Sequence, residues 1–239
     1  MKSFKRLKCL SEAVNELIKT KSLENITIAD IGSDHGYLAE ILARNEKISK
    51  VIASDISEDC LNKTKKLIYD NNLTKIETRL GDGLKPFDKV DIAVLAGLGG
   101  YEIINIISYQ NISNNNDIKA RYFVLMPSQN TLELREWIFK NNIGIIRDYI
   151  VESCNRFYSI LVIDVEMCNK IERSDFNLFF GKDNKLENPD FIGFLKFQIE
   201  YYNFFDKLTK QQIELDEMTK KKYKIYTMAK DFLKEKQGD

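Results

Sequence analysis

The sequence contains one histidine, His35, three prolines and four cysteines, and its apolar runs are short. Each scarcity excludes something. A single imidazole rules out a multi-histidine metal site and makes any Ser-His or Cys-His triad depend on His35 alone. Cys9, Cys60, Cys154 and Cys168 form no C-x-x-C pair. Neither a zinc ribbon nor a redox motif is expected, no metal is expected, and four reduced thiols suit a cytoplasmic chain. Short apolar runs predict no transmembrane helix and no membrane partner. The start, Met1-Lys2-Ser3-Phe4-Lys5-Arg6, leads into an amphipathic stretch with no sign of a secretory leader. Net charge is also missing, because 36 Lys+Arg balance 36 Asp+Glu. What remains is 239 residues, 44% hydrophobic and 30% charged. That is a globular composition with room for one full core and a smaller second domain.

From residue 26 to about 166 the pattern alternates. The strand-length runs are Ile26–Ile31, Val51–Asp55, Ile76–Leu80, Asp91–Ala96, Arg121–Met126, Gly144–Ile150 and Tyr158–Val165. Helical segments Tyr37–Arg44, Glu58–Asn71, Gly100–Tyr109 and Leu132–Lys140 lie between them. Continuous apolarity within the runs predicts strands buried on both faces, as in a parallel sheet covered by helices. Asp148 to Tyr158 leaves no room for a crossover helix, so the last two strands should pair antiparallel. Seven strands ending in an antiparallel hairpin predict the α/β, Rossmann-like sheet of class I S-adenosylmethionine-dependent methyltransferases. After Val165 comes a polar stretch, Asn169–Pro189, then a span from Phe191 to Lys236 with neither Gly nor Pro. Heptads from Phe194 place Phe194, Tyr201, Leu208, Leu215, Lys222 and Ala229 at a, and Phe197, Phe204, Gln211, Met218, Ile225 and Phe232 at d. This predicts a coiled-coil-like seam. The pattern fits one long helix or a hairpin, and because a single helix would project far beyond the domain, two antiparallel helices with a turn within 210–218 are expected. The expected domains are 1–166 for the sheet and 167–239 for the helical coiled coil.

Four motifs fall at strand ends, where open α/β sheets bind ligands. Asp30-Ile31-Gly32-Ser33-Asp34-His35-Gly36 closes the first strand and opens a helix. Its glycines permit a sharp turn and close backbone approach. Asp34 replaces the middle glycine of a dinucleotide fingerprint. A carboxylate there repels a pyrophosphate and tolerates a cationic sulfonium, which favours S-adenosylmethionine over NAD. Asp30 is then placed for the methionine ammonium, with Ser33 and His35 beside it. Asp55-Ile56 ends the second strand, about 20 residues past the turn, where an acid accepts ribose hydroxyls. Asp55 or Ser57 could equally cap the next helix. Gly81-Asp82-Gly83 follows the third strand and can address an adenine ring, or form an ordinary turn. Ala96-Gly97-Leu98 follows the fourth, small enough for a flat ring. The sequence lacks the Asn/Asp-Pro-Pro-Tyr/Phe clamp of exocyclic-amine methyltransferases, which suggests a ring nitrogen as acceptor.

These strings, with Leu134-Arg135-Glu136-Trp137 and a helical tail, resemble the bacterial tRNA (adenine(22)-N1)-methyltransferases, the TrmK family. The resemblance covers nearly the whole chain. Gly36 stands where Ala is common, Asp55 where Glu is frequent, and Met126-Pro127-Ser128 where Gln-Pro-Asn is usual. The resemblance implies S-adenosylmethionine as methyl donor and N1 of an adenine in the tRNA D-arm as acceptor. N1 has a lone pair in the ring plane, so attack needs no prior deprotonation. The adenine must first be exposed, because N1 lies on the pairing edge. Asp34 is the candidate to stabilise the cationic product or accept a proton; capping the following helix is its other reading. His35 is expected to orient the loop or pack under Tyr37. Trp137 is expected in the core.

Local charge qualifies the zero sum. Residues 1–10 hold Lys2, Lys5, Arg6 and Lys8 without an acid, and 219–230 hold Lys220, Lys221, Lys222, Lys224 and Lys230, again without one. Arg6 and Lys220 to Lys222 are the candidate phosphate contacts, so tRNA affinity should fall steeply with salt. A monomer is expected, and no DNA partner. Two alternatives share the fold: a small-molecule methyltransferase with an apolar lid, and an inactive RNA-binding module. Intact Asp30, Asp55 and Asp82 speak against the second.

Overall fold

The computed structural model describes residues 4–110, 118–205 and 216–235. A first helix, α1 (Phe4–Thr20), precedes an alternation of strands and helices: β1 (Ile26–Ile31), α2 (Tyr37–Ala43), β2 (Ile48–Asp55), α3 (Glu58–Asp70), β3 (Ile76–Leu80), β4 (Val90–Ala96), α4 (Gly100–Ser108), β5 (Ala120–Met126) and α5 (Thr131–Lys140). The hairpin β6 (Ile143–Ser153) and β7 (Arg156–Cys168) completes a seven-stranded sheet ordered β3-β2-β1-β4-β5-β7-β6. All neighbours pair parallel except β7, which is antiparallel to both β5 and β6. The expected Rossmann-like sheet is therefore present, final hairpin included. Chain order reverses between β1 and β4, and that switch point opens a crevice above the strand ends.

Alternate strand residues supply two apolar layers. Ile28, Val51, Val94, Val124 and Val162 join Leu10, Val14, Leu17 and Ile18 of α1 and Leu38 and Leu42 of α2 on one face. Ala29, Ile52, Leu95, Phe123 and Ile163 meet Ile103 and Ile107 of α4 and Leu134 and Ile138 of α5 on the other. Trp137 packs against this second layer.

Three shorter or later helices follow: α6 (Asp175–Phe179), α7 (Pro189–Tyr201) and α8 (Glu217–Glu235). Ser174 caps α6 and Asn188 caps α7, with Pro189 in its first turn. Phe191 and Leu195 of α7 and Ala229 of α8 are buried together with Ile150 and Phe180. Phe205 lies beside Tyr223 and Tyr226, while Phe176 touches both Phe191 and Phe232. The two helices thus run antiparallel. The heptad register differs from expectation on α7. Phe197 and Tyr201 are 46% and 63% exposed, and the buried residues of α7 are Phe191 and Leu195; just past its end Phe204 is 42% exposed and Phe205 is buried. The reason is that α7 packs on Ile150 and Phe157 of the hairpin as well as on α8, which turns its apolar face away from a simple two-helix seam. Leu208, Gln211 and Leu215, with most of the expected turn, lie outside the described residues.

The sheet's edge strand β6 is covered by side chains from this C-terminal segment. Backbone N–H groups of Asp148, Ile150 and Glu152 donate to Asp183 Oδ2, Asn184 Oδ1 and Asp190 Oδ2 at 2.7, 2.9 and 3.0 Å. Among the described residues no helix is long and apolar enough to cross a membrane. Among them too, no group of three or more His, Cys, Asp or Glu is placed to hold a metal ion.

Candidate active site

The turn after β1 uses the left-handed region three times. Gly32, Asp34 and Gly36 have φ of 76°, 51° and 75°. Gly32 and Ser33 N–H donate to the Ser54 carbonyl at 2.9 and 3.0 Å, which ties the loop to β2. Gly36 has a steric reason as well: a Cβ there would come 2.6 Å from Thr64 Cγ2. Thr64 Oγ1 donates to the Asp34 carbonyl at 3.0 Å. Gly36 therefore packs the loop onto α3 and does not line the crevice. Asp55 braces the same loop, accepting from Ser57 N–H at 2.9 Å and Asp34 N–H at 3.2 Å. Ser57, not Asp55, caps α3.

A cavity of about 720 Å³ opens above these strand ends. It is lined by Gly32, Asp34, Asp55, Ile56, Gly81, Asp82, Gly83, Ala96, Gly97 and Leu98, so one residue or more of every expected motif is present. A smaller recess of about 100 Å³ adjoins it, lined by Asp30, Ser33 and His35 and sharing Gly32, Asp34, Ala96 and Arg6. Asp82 sits at the rim, 2.6 Å from Lys85.

Asp30 and Asp34 differ sharply. Asp30 is buried, and burial pushes its carboxyl up to about 6, against the hydrogen bond from Ser33 Oγ at 2.8 Å. No described cation pairs with it. Asp34 is largely exposed, with its Oδ2 2.7 Å from His35 Nδ1. Partial burial raises its carboxyl, but the His35 hydrogen bond and charge, with help from Cys60 and Lys63, prevail and hold it below the ordinary carboxylate value. The His35 ring lies parallel to Tyr37 at 5.7 Å, so it both packs and holds Asp34.

A buried carboxylate with no described countercharge, a second acid one strand over and a glycine-lined cavity fit a nucleoside that carries a cationic amino-acid arm. The comparisons with known proteins agree. The sequence model of the tRNA (adenine(22)-N(1))-methyltransferases, TrmK, matches residues 28–231. The chain belongs to this family. It is 30% identical over 162 residues to the tRNA (adenine(22)-N(1))-methyltransferase of Bacillus subtilis, covering 63% of this chain and 67% of that one. The structure superposes on that of M. capricolum TrmK in complex with S-adenosyl-homocysteine with a TM-score of 0.70 at 25% identity, covering 96% of this chain and 95% of that one. The B. subtilis TrmK crystal structure gives 0.71 at 24% identity, with 97% of each chain covered, and shows the shared fold. A TrmK member is an S-adenosylmethionine-dependent methyltransferase, and the donor set described above fits that methyl donor.

Several residues at the TrmK site escaped the sequence reading. Glu102, Asn105 and Ile106 of α4 line the large cavity. Their spacing after Leu98 puts them on one helical face, which was the available signal. Glu102 Oε2 accepts from Gly99 N–H at 2.8 Å. The loops after β4 and β5 are zipped together: Gly97 N–H donates to Met126 O at 3.1 Å, Ser128 N–H to Leu98 O at 2.8 Å and Gly100 N–H to Gln129 O at 2.9 Å. A Cβ on Gly100 would overlap the Asn130 carbonyl. Arg6, expected at the RNA, lines both parts of the cofactor crevice, and its guanidinium lies 5.8 Å from the centre of the Tyr158 ring. Lys220 and Lys221 are ion-paired to Glu217 and Glu136 at 2.8 and 3.3 Å. Lys222 lies apart from both, beside a second cleft.

Proposed function

We propose that this protein transfers the methyl group of S-adenosylmethionine to N1 of adenine 22 in tRNA, in the cytoplasm. The observation that carries the reading is the crevice at the β1/β4 switch point, where Asp55, Asp82, Gly32 and Gly97 line the main cavity and Asp30 lines the recess that adjoins it. Bound there, S-adenosylmethionine supplies an electrophilic methyl group on a sulfonium. The chain's residues do the rest. Asp30, with Ser33 beside it, takes the methionine ammonium. Asp55 still has lone pairs for ribose hydroxyls, and Ile56 flanks the nucleoside. Gly81, Asp82 and Gly83 face the adenine ring. Gly97 adds no side chain, and a Cβ there would meet nothing within 4 Å, so the backbone leaves a flat base room to approach.

The lone pair of N1 forms the new bond as the carbon–sulfur bond breaks, and the base acquires a positive charge. Positioning supplies much of the acceleration. Asp34, at the junction of the two recesses, holds a negative carboxylate where that charge develops. His35 keeps it oriented. In this reading residues 1–166 hold the methyl donor, and the helical segment 167–239 holds tRNA through Lys222.

Asp34→Asn leaves the left-handed backbone acceptable, since Asn adopts it readily. It should lower kcat by about 100-fold and leave S-adenosylhomocysteine affinity largely unchanged in calorimetry. Normal turnover at saturation with weakened cofactor binding would remove Asp34 from the chemistry. The function itself is tested by methylating bulk tRNA with labelled S-adenosylmethionine and analysing the nucleosides. N1-methyladenosine is the expected product, and an unlabelled tRNA pool refutes the assignment.

A further inference from the structure

A second cleft, of about 680 Å³, opens between the β5–α5 loop, the tip of the β6–β7 hairpin and the pair α7/α8. We propose that it binds an unpaired nucleobase of the tRNA next to the methylated adenine, stacked on Tyr201, with its phosphate at Lys222. This rests on the proposed function and adds a subsite to it.

Three observations carry the proposal. First, the walls combine apolar and aromatic surface with base-edge amides, as a nucleobase requires. Tyr158, Tyr201 and Tyr202 supply ring faces, while Gln129 and Gln198 supply amides that can both donate and accept at a base edge. Tyr201, the last residue of α7, is 63% exposed, a large ring left in solvent at the edge of the cleft. Phe197 stacks beneath it at 6.0 Å and 19°, which fixes the ring's orientation.

Second, the charge is placed to match. The basic run of α8 is mostly neutralised: Lys220 pairs with Glu217, Lys221 with Glu136, and Lys224 with Asp175. Lys222 has no ion pair among the described residues and faces the cleft, so its charge is available to a phosphate. Glu133 is the one acid on the wall.

Third, the cleft lies beside the cofactor crevice but apart from it. No residue lines both this cleft and the main cofactor cavity. The zipped loops 96–100 and 126–130 stand between them. A base in this cleft is therefore not the one facing the methyl group. It is a neighbour, held a short step away while the acceptor enters by Gly97. Stacking it pulls the strand open next to the acceptor, which helps expose a paired N1.

The test uses tRNA transcripts carrying 2-aminopurine at the nucleotide on either side of adenine 22, with the full-length protein. Stacking on Tyr201 should quench one of the two probes, and Tyr201→Ala should abolish that quenching while Tyr201→Phe keeps it. Tyr201→Ala should raise KM for tRNA about tenfold, as loss of one stacked base implies, with S-adenosylhomocysteine affinity unchanged. Lys222→Ala should reduce the salt slope of tRNA binding by about one. Tyr69→Ala, an exposed tyrosine on α3, serves as the control and should change nothing. An unchanged KM in Tyr201→Ala, or no quenching at either probe, overturns the subsite while wild-type methylation stands. If the wild-type protein methylates no tRNA, the function falls first, and that outcome is visible before any variant is made.

Discussion

Asp30→Asn should weaken S-adenosylmethionine binding by about 100-fold while stabilising the ligand-free protein. The two effects have one origin. The Asp30 carboxylate is buried, meets only the Ser33 hydroxyl and backbone, and has no described cation beside it. Burial raises its pKa from 3.8 to about 6. In the unfolded chain the same group ionises near its ordinary value. The folded state therefore binds the proton more tightly, and stability falls as pH rises from about 4 to about 6. Above that window the ionised carboxylate costs on the order of 3 kcal/mol. Asn cannot ionise, so the variant should keep its stability across the window and melt higher at neutral pH. Binding works in the opposite sense. In the proposed role Asp30 meets the donor's ammonium as a carboxylate, so wild-type affinity should drop up to about tenfold per pH unit below pH 6. The variant should lack that dependence and bind weakly throughout. Thermal melts at pH 5 and 8, with calorimetry on S-adenosylhomocysteine, measure both. A destabilised variant with intact binding would make Asp30 a structural hydrogen-bond acceptor only.

Arg135→Met should cost about 3 to 5 kcal/mol of stability. Arg135 and Asp148 are both almost wholly buried, bonded through Nε to Oδ2 and Nη2 to Oδ1 at 2.8 Å each. The remaining donors reach Leu178 O, Phe179 O and Ser159 Oγ at 3.2, 3.1 and 3.1 Å. One guanidinium thus joins α5, both strands of the final hairpin and α6. Removing it leaves a carboxylate and two carbonyls buried without partners. Burial already pushes the Asp148 carboxyl up in the wild type, with Arg135 opposing. Without Arg135 it rises further, so the loss should shrink as pH falls and Asp148 protonates. The double variant Arg135→Met with Asp148→Leu should recover much of the stability, since replacing both partners avoids an orphaned charge. Urea unfolding of the three proteins decides the matter; equal losses in single and double variants would show that the pair contributes through packing alone.

Most of the sheet was legible because both-face burial writes short, continuous apolar runs. β1 and β3 have the expected bounds, and β2 begins only a little earlier than expected. The hairpin was underestimated. Its strands run on to a two-residue turn, Cys154–Asn155, with φ of 57° and 59°. Such a turn normally announces itself with Asn-Gly or Asp-Gly, and here no glycine does. The strand-end acids and glycines were legible because each sits at a fixed offset from its strand. Glu102 was not, since it reaches the crevice from the exposed face of α4, with Asn105 and Ile106, and no strand-end motif marks that face. Arg6 was seen only as charge. Its place in the crevice depends on α1 packing across the sheet, which no local pattern records. The seam of α7 was misread by rotation, because heptad spacing does not reveal a third packing partner.

The edge of β6 carries a further consequence. Three side chains, Asp183, Asn184 and Asp190, occupy the N–H positions that a neighbouring strand would otherwise take. Such an edge, bared, is a template for another chain. A catalytic sheet cut free after Cys168 would lose that cover along with the Phe180 cluster. It would tend to self-associate and would not persist as a small, separable enzyme. The tail works as a built-in guard against polymerisation, and a lineage that shed it would have to re-armour that edge.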